Sequence, residues 1–492
     1  MLDLNNLSRY HENNRIEAKR AAGGLPSSLW ESYSAFANTQ GGIILLGVEE
    51  RADKSLCAVD LPDPEKLVKE FWDTINNRQK VSVSILTSKH VQIVESDGHR
   101  IILIDVPRAN RSDKPVYIGS DPFVGSYRRN GEGDYHCTKD EVRNMMRDQS
   151  NISQDLKVLE QLGIDAFDYE SVRRYRIRLQ NTRPEHVWEN LDDVEFLMKI
   201  ACISRAEDGT LHPTAGGILM FGYEHEIIKE YSYFFLDYQE HESDDTRWTD
   251  RIVSNIGDWS GNLFDFYTRV YGRLSQGVKT PFKLERDTRQ DDTPVHKAIR
   301  EALVNALIHS NYYDRRGLVI HRYTDRIIIA NPGGLRVSVD DAIIGGLSDP
   351  RNITLIKMFN LINIGDRAGS GIPNIFDVWQ NEGWERPVLT ELFNPDRTIL
   401  TLVMMAEKSE TIIENNRVND RVNDRVTIRI NKSQKKILEL MMVNSHITAK
   451  MLSAEIGISE RNIRTNITKL RKAGLVERIG ADKSGGWIVK KG

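Results

Sequence analysis

The residues best suited to chemistry lie on one predicted helix. The run His296–Tyr312, HKAIREALVNALIHSNY, is strongly helical and spaces Glu301, Asn305 and His309 four apart, so they stack along one face. Two glycine clusters follow, Asn331-Pro332-Gly333-Gly334 and Gly365 to Gly371. A carboxylate and a carboxamide on one helix, followed by glycines whose backbone N–H groups can approach phosphates without a Cβ in the way, suit a magnesium–nucleotide pocket. Ile372 onward reads as a helix that accepts Pro373 in its first turn, and such a helix start favours anions. The same residues also fit a core helix with a mutually satisfied Glu/Asn pair and glycines in ordinary turns.

A second set lies near the N-terminus: Glu12, Glu17, Lys19 and Glu49, the last just past the apolar run Ile43–Val48. Three converging carboxylates repel one another unless a divalent cation or a basic substrate sits between them. With a lysine to neutralise a phosphate, such a set suits phosphodiester cleavage by metal-activated water. The alternative is a group of ordinary surface glutamates.

The third set is the tail. Ser433–Val443 and Thr448–Ile456 read as helices, Gly457-Ile458 as a turn, and Ser459 as the N-cap of a helix running to Ala473, with Gly474 as its stop. Leu475–Ile479 and Gly486–Val489 read as a hairpin around Ala481-Asp482-Lys483-Ser484-Gly485. The third helix carries Arg461, Asn462, Arg464, Thr465, Lys469, Arg471 and Lys472. Arginine and asparagine can read base edges, and lysines mainly hold phosphates. A fold of this kind also serves dimerisation or protein docking.

The elements that position these sets follow from composition and pattern. The 492 residues suffice for about three domains. From Asn431 to Gly492 there are 13 Lys/Arg against 5 Asp/Glu, while the rest of the chain has 54 against 66. A basic module on an acidic body points to a polyanionic partner. No apolar run approaches the roughly 18 residues of a membrane helix. The polar start MLDLNNLSRYHENN has no signal-peptide core, and Cys57, Cys137 and Cys202 form no Cys-x-x-Cys pair. These features predict a cytoplasmic protein with reduced thiols and no membrane partner.

Residues 1–150 read as an α/β domain: helix Pro26–Asn38, a buried strand Ile43–Val48, helix Pro62–Asn76, strand Ile101–Val106 and helix Lys139–Arg147. Residues 151–290 read as bridging structure, with a helix start at Pro213–Gly217 and a strand over Tyr231–Tyr238. Residues 291–408 hold the opening helix, strands Leu318–Tyr323 and Arg326–Ala330, and a last strand near Thr398–Met404. Residues 409–430, with Arg-Val-Asn-Asp twice in tandem, read as a low-complexity linker, and 431–492 as the basic module.

Resemblance narrows these readings. Glu12-x4-Glu17-Ala18-Lys19, Ser34-Ala35-Phe36-Ala37-Asn38-Thr39-Gln40-Gly41-Gly42 and Leu45-Leu46-Gly47-Val48-Glu49 resemble the Schlafen-type AlbA-like domain, and Pro115-Val116-Tyr117 and Tyr127-Arg128-Arg129-Asn130-Gly131 fit its later part. The resemblance implies nucleic-acid binding, with Arg128 and Arg129 as candidate contacts. In the Schlafen branch it implies cleavage of structured RNA by an acidic triad with Mg²⁺ or Mn²⁺, here Glu12, Glu17 and Glu49 beside Lys19. The third acid of that branch is usually Asp, and many bacterial relatives only bind DNA, so both readings stay open.

Glu301-x3-Asn305 resembles the N-box helix of the gyrase, histidine-kinase and MutL ATPases (the GHKL superfamily), where Asn ligates magnesium and Glu positions water. Ile299 to Leu307, Asn331-Pro332-Gly333-Gly334-Leu335, Arg351-Asn352 and Gly369-Ser370-Gly371-Ile372 are similar, more narrowly, to the RecG C-terminal-like ATP-binding domain. The implied ATP-binding residues are Glu301, Asn305, His309, Asn331, Gly333, Gly334, Arg351, Gly369, Ser370 and Gly371, with Asn305 as the Mg²⁺ ligand. The superfamily's Asp-x-Gly-x-Gly is replaced by the Asn331 turn. The tail resembles a winged-helix DNA-binding domain, with Ser459, Arg461, Asn462, Arg464, Lys469, Arg471 and Lys472 as candidate contacts.

The expected fold class is therefore multidomain α/β and α+β: an AlbA-like α/β domain, a GHKL-like α/β sandwich and a C-terminal winged helix-turn-helix. The expected function is that of an ATP-binding, nucleic-acid-binding protein, with a metal-dependent nuclease site for RNA, tRNA or DNA serving antiviral defence or a stress response. The rival expectation is a non-catalytic, ATP-responsive transcription regulator. A homodimer on paired half-sites is expected in either case. No Gly-x4-Gly-Lys-Ser/Thr loop is present, which argues against a P-loop helicase motor.

Overall fold

A helix between two strands lets them pair in parallel, and the N-terminal domain begins in this way. The computed structural model describes residues 3–244, 247–276, 284–285, 288–289, 292–365, 369–393, 395–405, 432–443, 447–456, 460–472, 475–479 and 486–489. It forms two compact units, Met1–Glu407 and Lys408–Gly492. Strand β1 (Ile16–Lys19) leads through α1 (Ser28–Asn38) to β2 (Gly42–Leu46), with Ile16 opposite Ile43 in parallel register.

The predicted single strand Ile43–Val48 is in fact broken. Gly47, at φ +83°, ends β2, and the chain turns into β3 (Val48–Glu50), which pairs with β4 (Leu56–Ala58) in a separate sheet. Helix α2 (Pro64–Ile75) starts at Asp63, whose carboxylate accepts the Lys66 N–H, and buries Leu67, Phe71 and Ile75 at helical spacing. Strands β5 (Val91–Ser96) and β6 (His99–Val106) complete a sheet of order β1-β2-β6-β5. Its core joins Tyr33, Phe36, Ile44, Leu46, Phe71, Ile102 and Ile104. A short α3 (Pro122–Gly125), the hairpin β7 (Tyr127–Asn130) and β8 (Gly133–His136), and α4 (Lys139–Gln149) with a Thr138/Glu141 capping box follow.

Asn38 ties this domain together. Its amide donates to Val116 O at 2.8 Å and Tyr127 O at 2.9 Å, and its carbonyl accepts Val116 N at 2.8 Å.

The next stretch holds α5 (Tyr169–Thr182), α6 (Asp193–Lys199), the pair β9 (Ile203–Arg205) and β10 (Leu211–Pro213), α7 (Ala215–Phe221) and α8 (Glu224–Glu230). The strand expected over Tyr231–Tyr238 is instead β11 (Leu236–His241). Tyr231 caps α8, and Phe234 N bonds back to Tyr231 O, so the chain is still turning at those residues. Strand β12 (Asp250–Val253), α9 (Leu263–Leu274) and the two-residue strands β13 (Leu284–Glu285) and β14 (Thr288–Arg289) precede α10 (Pro294–His309). Then come β15 (Leu318–Tyr323), β16 (Arg326–Pro332), α11 (Val339–Ile344), α12 (Ile353–Leu361), α13 (Gly371–Asn381), β17 (Val388–Leu392) and β18 (Arg397–Val403).

Six of these strands form one sheet, β12-β11-β15-β16-β18-β17, in which β11 runs parallel to β15. Residues on both sides of position 290 thus share the sheet. They also share one core, in which Phe167, Tyr175, Phe221 and Phe264 join Ala298, Ile299 and Leu303 of α10.

The second unit contains α14 (Lys432–Val443), α15 (Ala449–Ile456), α16 (Glu460–Lys472) and the antiparallel pair β19 (Val476–Ile479) and β20 (Gly486–Val489). Ile463, Ile467 and Leu470 of α16 pack with Ile437, Leu452, Val476 and Trp487. The linker 409–430, Gly457-Ile458, Ser459, Ala473, Gly474 and the turn 481–485 lie outside the described residues. Among the described residues, no helix is long and apolar enough to cross a membrane.

Asn38→Ala leaves buried peptide groups unpaired and is expected to cost about 2–4 kcal/mol. Urea unfolding of the full chain checks this, and a loss under about 0.5 kcal/mol, within the range of a neutral surface change, would remove Asn38 from that role.

Candidate nucleic-acid and nucleotide sites

Strand alternation places Glu17 and Lys19 on one face of β1. Lys19 Nζ lies 2.8 Å from Glu17 Oε1 and also donates to Ser28 Oγ at 3.1 Å. Arg129, only 4% exposed, reaches Glu17 Oε2 at 2.8 Å and Asp134 Oδ1 at 2.9 Å, and donates to the Asn13 and Ile16 carbonyls. Its guanidinium covers the Phe36 ring. Arg129, expected at a nucleic-acid contact, therefore turns its donors inward. Arg128 pairs with Glu141 at 3.2 Å.

Glu12 accepts the Ala18 N–H at 3.0 Å. Burial pushes the Glu12 carboxyl up; the Ala18 N–H opposes this, and the charges of Glu17 and Glu50 add to it. Glu49 stands in β3 opposite Cys57, 3.6 Å from Arg20. Adjacent strand residues face opposite ways, and it is Glu50, missed in the sequence, whose charge reaches Glu12. Alternation along Val48–Glu50 was the available signal. Glu12, Glu17 and Glu49 thus do not converge in an arrangement that fits a divalent cation. Among the described residues, no group of three or more His, Cys, Asp or Glu could hold a metal.

The expected nucleotide ligands separate into two groups. In the first, Asn305 Nδ2 donates to Glu301 Oε1 at 3.2 Å. Both meet the start of α13, since a Cβ on Gly371 would come within 2.1 Å of Glu301 Oε1 and 2.8 Å of Asn305 Nδ2. A side chain at position 371 would displace the Glu301 carboxylate and the Asn305 carboxamide. The positive end of α13 faces the Glu301 carboxylate, and Gly369 and Ser370 precede it. This carboxylate, carboxamide and helix start fit a magnesium–triphosphate group. Asn305 would hold the metal, which would neutralise phosphate charge, Glu301 would orient water beside it, and Gly369 to Gly371 would lie against the phosphates.

The second group surrounds Arg351. Its guanidinium donates to His309 O at 2.8 Å and Gly334 O at 2.9 Å. It also grips Asp148 of α4 through Nε at 3.0 Å and Nη2 at 2.7 Å. Arg336 adds Nη2 at 2.7 Å to the same Asp148. A Cβ on Gly333 would meet Asn311 and Arg351, and one on Gly334 would meet Glu391. Asn331 is buried near the end of β16, opposite Thr398. Burial, with Arg351 and Arg336 nearby, pushes His309 down to about 4, so its ring is neutral at neutral pH. Burial alone would raise the Asp148 carboxyl, but the two guanidiniums outweigh it and hold it at about 2. Arg108 pairs with Glu391 at 2.5 Å, and Arg111 with Asp349, which adds further links between the N-terminal domain and the RecG-like region.

On α16, Arg464 is exposed and pairs with Glu460 at 2.6 Å, and Arg471 is exposed. Arg461, Asn462, Lys469 and Lys472 lie on the same helix.

Residues 12–138 match the family model "Schlafen, AlbA_2". Residues 316–401 match "Putative ATP-dependent DNA helicase recG C-terminal", and 430–477 match "Winged helix-turn-helix DNA-binding". A domain of unknown function, DUF8451, matches residues 143–237. The chain belongs to the proteins that combine an AlbA_2 domain, a RecG C-terminal-like domain and a winged helix in that order. These are domain classes of nucleic-acid-binding proteins. Among solved structures, the DIP2311 protein from Corynebacterium diphtheriae is 17% identical, with 97% of this chain and 92% of that chain covered and a TM-score of 0.41. The N-terminal domain of a "Putative ATP-dependent DNA Helicase RecG-related Protein" from Nitrosomonas europaea is 31% identical, with 27% of this chain and 90% of that chain covered and a TM-score of 0.22. No curated protein matches the chain.

Asp148→Asn should lower stability at pH 7 by about 3 kcal/mol, because two buried guanidiniums lose their counter-charge. The folded carboxyl is depressed from 3.8 to about 2. Its contribution is therefore present above the unfolded pKa and lost as the pH falls through the folded one. Denaturant unfolding should show the gap between wild type and variant narrowing below about pH 4. A constant gap down to pH 2 would refute the charge-based account.

Proposed function

We propose that this protein is an ATP-responsive nucleic-acid-binding protein. ATP with Mg²⁺ binds at Glu301, Asn305 and Gly369 to Gly371, and DNA binds through α16. The observation that carries the reading is the contact of Glu301 and Asn305 with the glycine start of α13. Arg351 bonds the carbonyl of His309, one turn beyond Asn305, and the carboxylate of Asp148. A shift of α10 on nucleotide binding therefore reaches helix α4, which follows the AlbA_2 domain, through one side chain. The non-catalytic form of this function is favoured because Glu17 is already matched by Lys19 and Arg129. The second reading, metal-dependent cleavage of RNA or DNA in defence or stress, draws on the mutual influence of Glu12, Glu17 and Glu50. A cytoplasmic dimer fits either reading.

Asn305→Ala should weaken Mg·ATP binding by about tenfold or more, as expected for loss of one charge-assisted contact. Calorimetry showing unchanged affinity would leave α10 a structural helix.

Deleting 431–492 should lower duplex-DNA affinity and flatten its salt dependence, each lost phosphate contact removing about 0.9 from the log–log slope. Fluorescence anisotropy with duplex DNA and tRNA, with and without Mg·ATP, measures both. Equal slopes before and after deletion would overturn the assignment of DNA binding to the tail. Mg²⁺- or Mn²⁺-dependent cutting that Glu17→Gln abolishes would replace the non-catalytic reading with the nuclease.

A further inference from the structure

Between the AlbA_2 domain and the glycine turn of β16 lies a partly enclosed cavity of about 80 Å³. That is room for several water molecules, and so for one tetrahedral oxyanion. Its wall carries six cations, Arg108, Arg111, Lys114, Arg128, Arg336 and Arg351, against three carboxylates, Glu141, Asp148 and Asp396. The five arginines have acidic partners: Glu391, Asp349, Glu141 and, for the last two, the shared Asp148. Lys114 differs. Its Nζ donates to the Asn38 carbonyl at 2.7 Å, and among the described residues no carboxylate forms an ion pair with it.

Even with Glu391 and Asp349 counted, the cations outnumber the carboxylates by one. The surroundings act on both ionised forms. Burial and the neighbouring Arg108 push Lys114 down to about 7, against the pull of Asp396, Glu391 and Asp148. Burial and the charge of Glu141 push Asp396 up to about 6. A half-buried ammonium that no carboxylate pairs, beside a guanidinium, is relieved by an anion rather than by water alone.

We propose that this cavity binds a small phosphate-class oxyanion, with Lys114 as its main charge partner and Arg108 and Arg128 beside it. The site is separate from the Glu301–Asn305 group and does not rest on the ATP reading. A phosphate-class anion has two sources, free inorganic phosphate and the 5′-phosphate end of a nucleic acid, and both present the same tetrahedral group to Lys114.

Isothermal titration of the full chain with sulfate, which does not change charge near neutral pH, tests the proposal. Wild type should bind saturably. Lys114→Met should bind about tenfold more weakly and Lys114→Arg within about threefold of wild type, as expected for loss or retention of one charged donor. Equal sulfate affinity in wild type and Lys114→Met overturns the proposal, as does the absence of saturable binding to wild type. Competition by a 5′-phosphorylated dinucleotide, but not by its dephosphorylated form, identifies the nucleic-acid end as the source. Sulfate binding without such competition identifies the free anion. If Lys114→Met does not fold, selenate in crystals of the wild type gives the decision. An anomalous peak in the cavity supports the site, and selenate bound only elsewhere, or not at all, overturns it.

Discussion

The first unit is organised around one shared carboxylate. Asp148, near the end of α4, receives Arg351 in two-pronged fashion and Arg336 on the same oxygen that Arg351 Nε uses. Taking three charged groups out of water is costly, and the arrangement is favourable only because every strong donor meets an acceptor. Arg351 has enough donors to do more than neutralise Asp148. By also bonding His309 O and Gly334 O, it joins the end of α10, the turn after β16 and helix α4. The RecG-like fold and the domain before it are therefore parts of one body rather than beads on a string, and Arg108–Glu391 and Arg111–Asp349 reinforce the joint.

The same physical logic recurs inside the AlbA_2 domain. Arg129 gathers Glu17, Asp134 and two backbone carbonyls around a guanidinium that rests on Phe36. Residues that look like reaction chemistry in a list of motifs are here first of all scaffolding. Glu17 is held between two cations, whereas Glu12 is under pressure from two neighbouring carboxylates. At this end of the chain the charge that reaches Glu12 comes from Glu17 and Glu50. At the other site, Glu301 faces the start of α13 so closely that a side chain at residue 371 would push its carboxylate aside, and one contact there joins packing to charge.

What the sequence revealed depended on distance along the chain. Helices α1, α10 and α16 announce themselves because their apolar spacing is local, and so do the glycine turns. The division of the apolar run at Gly47 was also local, but it turns on a positive φ that Ile43–Val48 does not signal. The membership of β11 in the large sheet was invisible, because its partner β15 lies some eighty residues further on and parallel pairing leaves no mark in either segment. For the same reason nothing near Asp148 pointed to Arg351, 203 positions away. The site motifs could be named from sequence, but not the partners that decide which of those side chains is already committed.

Arginine shows how much that distinction matters for a polyanionic ligand. A phosphate must displace whatever the guanidinium already holds. For Arg464, 72% exposed and paired along its own helix with Glu460, that exchange costs little, since an exposed pair contributes at most about 1 kcal/mol. For Arg351 or Arg129 it means breaking a buried network and leaving a carboxylate without its counter-charge, at about 3–5 kcal/mol. The expected basic contacts therefore do not share one role. Arg464 on α16 can exchange its partner at little cost, while the buried arginines of the first unit hold the carboxylates that fix its domains together. The amphipathic division of α16, with Ile463, Ile467 and Leu470 inward and Arg464 and Arg471 outward, is what keeps exchangeable charge at the surface of the basic module.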